Sequence, residues 1–167
     1  MDEAARQSEW QQWLADHAPR FLLFARQQAR SEADAQDLVQ EAVVEAAQRW
    51  GDGTPPAPAL VLATIRRRAI DQARRDDRRA GRERAASEPT PECWFDSGPE
   101  ERERARLIQD AMSRLPDMYR EVITLKVWGE LTFAEIAATL DIPANTAASR
   151  YRYGLEALRK MTKEVLA

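Results

Sequence analysis

The 167-residue chain holds a single cysteine, Cys93, and a single histidine, His17. One cysteine excludes a disulfide framework and a cysteine zinc site. One histidine excludes a two-histidine metal motif, so no metal or other cofactor is expected. Apolar runs are only a few residues long, so no segment is expected to insert into a membrane. The opening stretch MDEAARQSEW is polar and acidic, which reads as no secretory signal and a cytoplasmic location. No G-x-S-x-G, P-loop or dinucleotide fingerprint occurs, and His17 has no partner pattern. An enzyme with a small-molecule substrate is therefore not expected. His17 reads as a helix-end residue near Pro19, and Cys93 as a bystander in a linker.

What is present is charge, and it is segregated. Hydrophobic residues make up 44% and charged residues 32%, which suits a helix-leaning globular chain. The net charge of −3 hides strong local contrasts. Residues 1–50 carry nine acids and five arginines, and residues 87–104 carry six acids and two arginines. Residues 66–84 carry nine arginines and four acids. A chain-level pI near 5.4 argues against nucleic acid, and the arginine block argues for it locally. The plainer reading of such a block is a solvated helix face laced with ion pairs.

Helical periodicity recurs along the chain and strand alternation hardly appears, which predicts an all-α protein. A first helix is expected over 3–16, with Trp10, Trp13 and Leu14 at helical spacing. Pro19 suits the first turn of a second helix, with Phe21, Leu22, Phe24 and Ala25 apolar. Ser31 can cap a third helix, with Asp34 in the place of a capping-box glutamate. In that helix Ala35, Leu38, Val39, Ala42, Val43 and Ala46 make an apolar stripe, opposite Asp37, Gln40, Glu41 and Glu45. Residues 51–58, GDGTPPAP, must be a loop. A fourth helix is expected over 59–79, with Leu60, Val61, Leu62, Ile65 and Ile70 inward and arginine outward. Gly, Pro, Ser and acids then dominate, so 81–99 reads as a flexible linker between two small helical domains, 1–80 and 100–167. Trp94 and Phe95 within it read as hinge packing.

In the second domain a helix is expected over 100–114, with Leu107, Ile108, Ala111 and Leu115 inward. Pro116 starts the next, with Val122, Ile123, Leu125 and Val127 inward, and Gly129 ends it. Thr132 and Glu135 form a Thr-x-x-Glu capping box for a short helix ending near Leu140. A turn at Asp141-Ile142-Pro143 leads into a last helix reaching about residue 165. Two helices joined by so short a turn are a helix-turn-helix unit. Ile136, Ala137, Leu140, Ile142, Ala147, Tyr151 and Leu155 can close its core. The outer face of the last helix then shows Asn145, Ala148, Ser149, Arg152 and Tyr153. In this motif that face enters the major groove, where Arg reads guanine and Asn reads adenine.

The chain resembles the small bacterial RNA polymerase sigma factors of the extracytoplasmic-function (ECF) type, from about residue 9 to 162. Three stretches carry the resemblance: DAQDLVQE (Asp34 to Glu41), AIDQARRDDRR (Ala69 to Arg79), and the run from Leu115-Pro116 through Glu135-Ile136-Ala137 to Thr146, Ser149 and Arg150. The resemblance implies that the first domain grips the β′ clamp helices of core RNA polymerase through Asp34, Asp37, Leu38, Gln40 and Glu41. It implies that the fourth helix lies on the minus-ten element through Arg66, Arg67, Asp71, Arg74, Arg75, Arg78 and Arg79. A flipped promoter base would then be captured by loop 51–58 and the start of that helix. The acidic linker would run along the polymerase RNA path. The second domain would meet the β flap and read the minus-thirty-five duplex through Asn145, Thr146, Ala148, Ser149, Arg150, Arg152 and Tyr153. An anti-sigma factor is the further partner implied. Arg67 stands where many members carry Asn, Leu60 where many carry Trp, and Ala148 where a basic residue is common.

Two other readings compete. A stand-alone helix-turn-helix regulator would need only residues 130–160 and would dimerise on a palindrome. A protein that keeps the fold only to sequester a partner would have no use for arginines on both DNA faces.

Overall fold

A computed structural model describes residues 2–80 and 93–166. The described residues form seven helices and no strand: α1 (Glu3–Gln28), α2 (Glu32–Trp50), α3 (Pro58–Ala80), α4 (Arg102–Ser113), α5 (Asp117–Val127), α6 (Phe133–Leu140) and α7 (Ala144–Leu166). The chain is all-α, as its periodicity indicates, and divides into two compact units, Met1–Glu92 and Cys93–Ala167. Most of the expected linker, up to Glu92, lies outside the described residues.

In the first unit α1, α2 and α3 each pack on the other two. Their shared core holds Phe21, Leu23 and Phe24 of α1, Ala35, Leu38, Ala42 and Ala46 of α2, and Val61, Leu62, Ile65 and Ala69 of α3. Phe21, Phe24, Leu62 and Ile65 are at most 1% exposed. Burying a side chain of this size contributes about 1.5–3 kcal/mol. Three of the four buried α2 residues are alanines, facing larger side chains of α1 and α3 in the shared core. Ser31 caps α2, its Oγ accepting from the Asp34 backbone N–H at 3.1 Å.

Three expectations for this unit are corrected. Residues 3–28 form one helix, with Pro19 inside it. Proline removes one helical hydrogen bond, here to the carbonyl of Ala15. Pro19 and Ala15 are both accessible to solvent, so water can serve that carbonyl. An aromatic ladder on another face runs straight past the interruption. Trp10 meets Trp13 at 5.5 Å, Trp13 meets His17 at 5.5 Å, and Trp13 and His17 meet Phe21 at 5.7 and 6.1 Å. His17 is thus a mid-helix rung, not a helix-end residue. In α3, Leu60 is 48% exposed and Ile70 only half-buried, while Ala69 takes the inward position.

In the second unit α7 packs on α4, α5 and α6. Met112, Leu115, Val122, Ile123, Leu125, Leu131, Ile136, Leu140 and Ala147 form the core. A close approach between α7 and α5 is at Gly154. A Cβ there would lie 2.8 Å from Ile123 Cδ1 and 3.1 Å from Tyr119 Cβ of α5. Residues 93–98 join this unit. Trp94 is buried, its backbone N–H donating to Gln109 Oε1 at 2.8 Å, and Phe95 packs on Trp128 at 5.3 Å. Leu107, Ile108 and Val127, expected inward, are 44%, 38% and 46% exposed. Met112 takes the core position on α4 instead.

Candidate nucleic-acid interface

The helix-turn-helix is built by local chemistry. Thr132 Oγ1 accepts from the Glu135 N–H at 3.2 Å, and Glu135 Oε2 accepts from the Thr132 N–H at 2.7 Å, closing the capping box of α6. Asp141 ends α6 in the left-handed region at φ 55°, which tolerates Asp better than most residues. The Ile142 N–H then donates to the Ala137 carbonyl at 3.0 Å, turning the chain into α7. Pro143 sits one residue before α7, its carbonyl accepting from the Ala147 N–H at 3.1 Å. Ile136, Leu140 and Ala147 are buried between α6 and α7, and Phe133 meets Tyr151 edge-on at 5.6 Å. The inward set therefore fixes which side of α7 is left outside.

On that side Asn145, Arg152 and Tyr153 are exposed, and Thr146, Ala148, Ser149 and Arg150 are half-buried. Arg152 folds over the Tyr153 ring at 5.1 Å and its Nη2 donates to Tyr153 Oη at 3.4 Å. The guanidinium thus lies within cation–π range of the ring face. A helix whose first turns present Asn, Ser and Arg can donate to base edges and to phosphates.

The first unit carries a second polar surface, a groove between α2 and α3. Asp37 and Glu41 line it from α2, and Arg67, Arg68, Asp71, Arg75, Asp76 and Arg79 from α3. Arg67 Nη2 donates to Glu45 Oε1 at 2.9 Å. Arg68 Nη2 reaches Glu45 Oε2 at 2.9 Å, and its Nη1 reaches Glu41 Oε2 at 3.0 Å. The hydrogen bonds from Arg67 and Arg68 hold the Glu45 carboxyl below the usual carboxylate range. Of the other arginines assigned to DNA, Arg66 is half-buried and Arg74, Arg75, Arg78 and Arg79 line the solvent side of α3.

The acidic face is not uniform. Asp37 and Glu41 are exposed, Gln40 is on the same side of α2, and Asp34 is half-buried at the start of the helix. Leu38 is 3% exposed and belongs to the core stripe, and it lines the floor of the groove between α2 and α3. Position 38 falls within the matching stretch but on the inner side of the helix.

Loop 51–57 is anchored to α1. Trp10 Nε1 donates to the Gly53 carbonyl at 3.1 Å, and Arg6 Nη1 to the Asp52 carbonyl at 3.3 Å. Neither contact is visible in the sequence, because the partners are more than 40 residues apart. Arg68 and Glu45 escape sequence reasoning for the same reason: neighbours across two helices leave no mark in local spacing.

At the corner between α1 and α2, buried Arg26 donates from Nε and Nη2 to the Glu32 carboxylate, at 2.9–3.3 Å. The Arg26 hydrogen bond holds the Glu32 carboxyl below its ordinary value near 4.5. A lowered folded-state pKa adds stability that is present above the unfolded value and lost as pH falls through the folded one. Glu32→Gln is therefore expected to melt at lower temperature than wild type at pH 7, with the gap closing below about pH 4.5. Thermal melts across about pH 3–7 check this; a gap that stays constant down to the acid end would contradict it.

Residues 13–79 match the family Sigma-70 region 2, and residues 105–158 match Sigma-70, region 4. The ECF RNA polymerase sigma factor RpoE of Cereibacter sphaeroides is 32% identical, the alignment covering 95% of this chain and 87% of that protein. The ECF RNA polymerase sigma factor SigL of Mycobacterium tuberculosis is 31% identical, over 90% and 86%. The solved structure of the sigma factor RpoE from Bartonella quintana, in complex with the anti-sigma factor NepR, superposes with a TM-score of 0.76. At 19% identity, covering 92% of this chain and 96% of that one, it shares the fold. With both regions in order and relatives aligned over most of their length, the chain belongs to the ECF family of RNA polymerase sigma factors.

Proposed function

We propose that the chain is a promoter-specificity subunit: it binds core RNA polymerase, brings it to a promoter and opens the minus-ten region. The observation that carries this is the pairing of two interfaces in one chain. A helix-turn-helix with an outward Asn145-Ser149-Arg152 face lies in one unit, and an acid-faced α2 beside the arginine-rich α3 lies in the other. A stand-alone regulator needs only the first of these, so the match of residues 13–79 to Sigma-70 region 2 favours the initiation role.

In this reading Asp37, Gln40 and Glu41 meet the β′ clamp helices, since an acidic face steers toward and complements a basic one. The arginines of α3 neutralise phosphates of the minus-ten segment, which makes binding steeply salt-dependent. Loop 51–57, held by Trp10 and Arg6, and the start of α3 receive a base flipped from the stack. Flipping costs a few kcal/mol and needs stacking or hydrogen bonds in return. Leu107, Ile108, Ala111 and Met161 line a groove of about 460 Å³ between α4 and α7, which suits an apolar helix such as one from the β flap. The Bartonella complex supports an anti-sigma factor as a further partner. The protein acts in the cytoplasm, where the polymerase is.

Arg152→Ala is expected to weaken discrimination at the minus-thirty-five element by about 1–3 kcal/mol, the range for losing a side chain that reads a base. Transcription by the reconstituted polymerase on a pool of genomic fragments measures this. Unchanged promoter selection would remove Arg152 from the reading set, and a wild type that neither directs a transcript nor co-elutes with core enzyme would sink the proposal.

A further inference from the structure

The groove between α2 and α3 joins two surfaces that the proposed function assigns to different partners. Glu41 belongs to the polymerase face and Arg67 to the DNA face, yet Arg67, Arg68, Glu45 and Glu41 form one connected chain of ion pairs at 2.9–3.0 Å. The side chains of Arg67 and Glu41 are 57% and 56% exposed, so both are within reach of an incoming partner. The Glu45 side chain is only 22% exposed and is held between two guanidinium groups. A carboxylate in that position occupies the donors that a phosphate would use.

We propose that Glu45, with Glu41, masks the Arg67–Arg68 part of the basic face of α3 in the free protein, and that a cationic partner surface engaging Glu41 removes one of the two carboxylates that hold Arg68 and so opens it to phosphate. The inference rests on the reading of α3 as the nucleic-acid helix. Exposed ion pairs are weak, worth about 0–1 kcal/mol each, so the mask is easily displaced. That is what a reversible device requires: weak enough to open on assembly, present enough to lower the affinity of the free chain. In the free chain it keeps two guanidinium groups of α3, those of Arg67 and Arg68, engaged by carboxylates instead of phosphate. Glu45 touches neither partner in this scheme and is a positioning residue.

The test uses the free full-length chain and a fluorescent duplex of arbitrary sequence, titrated from about 50 to 200 mM salt. Every further phosphate that the protein neutralises steepens the salt slope by about 0.9, which is roughly fourfold in the ratio of affinities across that range. Glu45→Gln is expected to bind more tightly at the low-salt end, with the slope steeper by about 1–2. Adding Arg67→Gln and Arg68→Gln to that variant is expected to erase the gain. Glu9→Gln, an equal loss of charge on α1, is expected to change neither quantity. Glu45→Ala repeats the measurement with a side chain that cannot hydrogen-bond. An unchanged slope in both Glu45 variants, or an equal gain in Glu9→Gln, would overturn the proposal. Either result would leave polymerase-dependent transcription to decide the initiation role separately.

Discussion

Replacing Asp37 and Glu41 together by arginine is expected to abolish capture of core polymerase while leaving the fold intact. Both residues are exposed on the outer side of α2, opposite the stripe of Ala35, Leu38, Ala42 and Ala46 that forms the core contact. The double change turns two negative charges into two positive ones on the face assigned to the clamp helices. Like charges brought together across an interface cost several kcal/mol. At exposed positions the same change costs the fold little, chiefly the Arg68–Glu41 pair at 3.0 Å and a modest new repulsion. Size-exclusion co-elution with core enzyme reads the first effect and circular dichroism the second. Wild-type affinity in a folded variant would remove this face from the polymerase contact.

The second large effect is expected at Gly154, where α7 crosses α5 too closely for a large side chain. Gly154→Leu puts a branched side chain where a Cβ alone already lies 2.8 Å from Ile123 Cδ1. Overpacking of this kind costs about 1–3 kcal/mol and sometimes more, against at most about 1 kcal/mol recovered in helix propensity. Because α7 carries Arg152 and Tyr153, displacement of the helix is also expected to weaken duplex reading. Gly154→Ala is expected to be far milder, since the Ile123 terminus can rotate away and the better helix propensity offsets the crowding. Hydrogen exchange localises the effect: the leucine variant should lose protection in α5 and α7 and keep it in α1–α3. Equal protection in both variants would show that the helices are less tightly apposed than the distances indicate.

Much of the fold is legible in local chemistry. The Ser31 cap and the Thr132–Glu135 box stand where Ser, Thr and Glu spacing puts them, because capping is decided within four residues. The Ala35-to-Ala46 stripe follows from helical period alone. Pro19 marks where local rules fail: a proline that predicts a helix start is overridden by a ladder of aromatic contacts running from Trp10 to Phe21. Leu60, Leu107, Ile108 and Val127 show a second limit. Periodicity says which side of a helix is apolar, not whether anything in the same chain covers it. Leu38 is the converse case, a residue in a matching motif whose side chain is almost wholly buried in the core stripe. The pairing of Arg67 and Arg68 with Glu45 and Glu41 spans 22 to 27 residues and depends on how two helices lie together.

The most direct test of the central claim is run-off transcription with purified bacterial core polymerase, with and without this protein, on a pool of genomic promoter fragments. Defined transcripts that require the protein, together with its co-elution with core enzyme, are the expected result. Absence of both would contradict the initiation role and leave the helix-turn-helix as a duplex-binding module on its own.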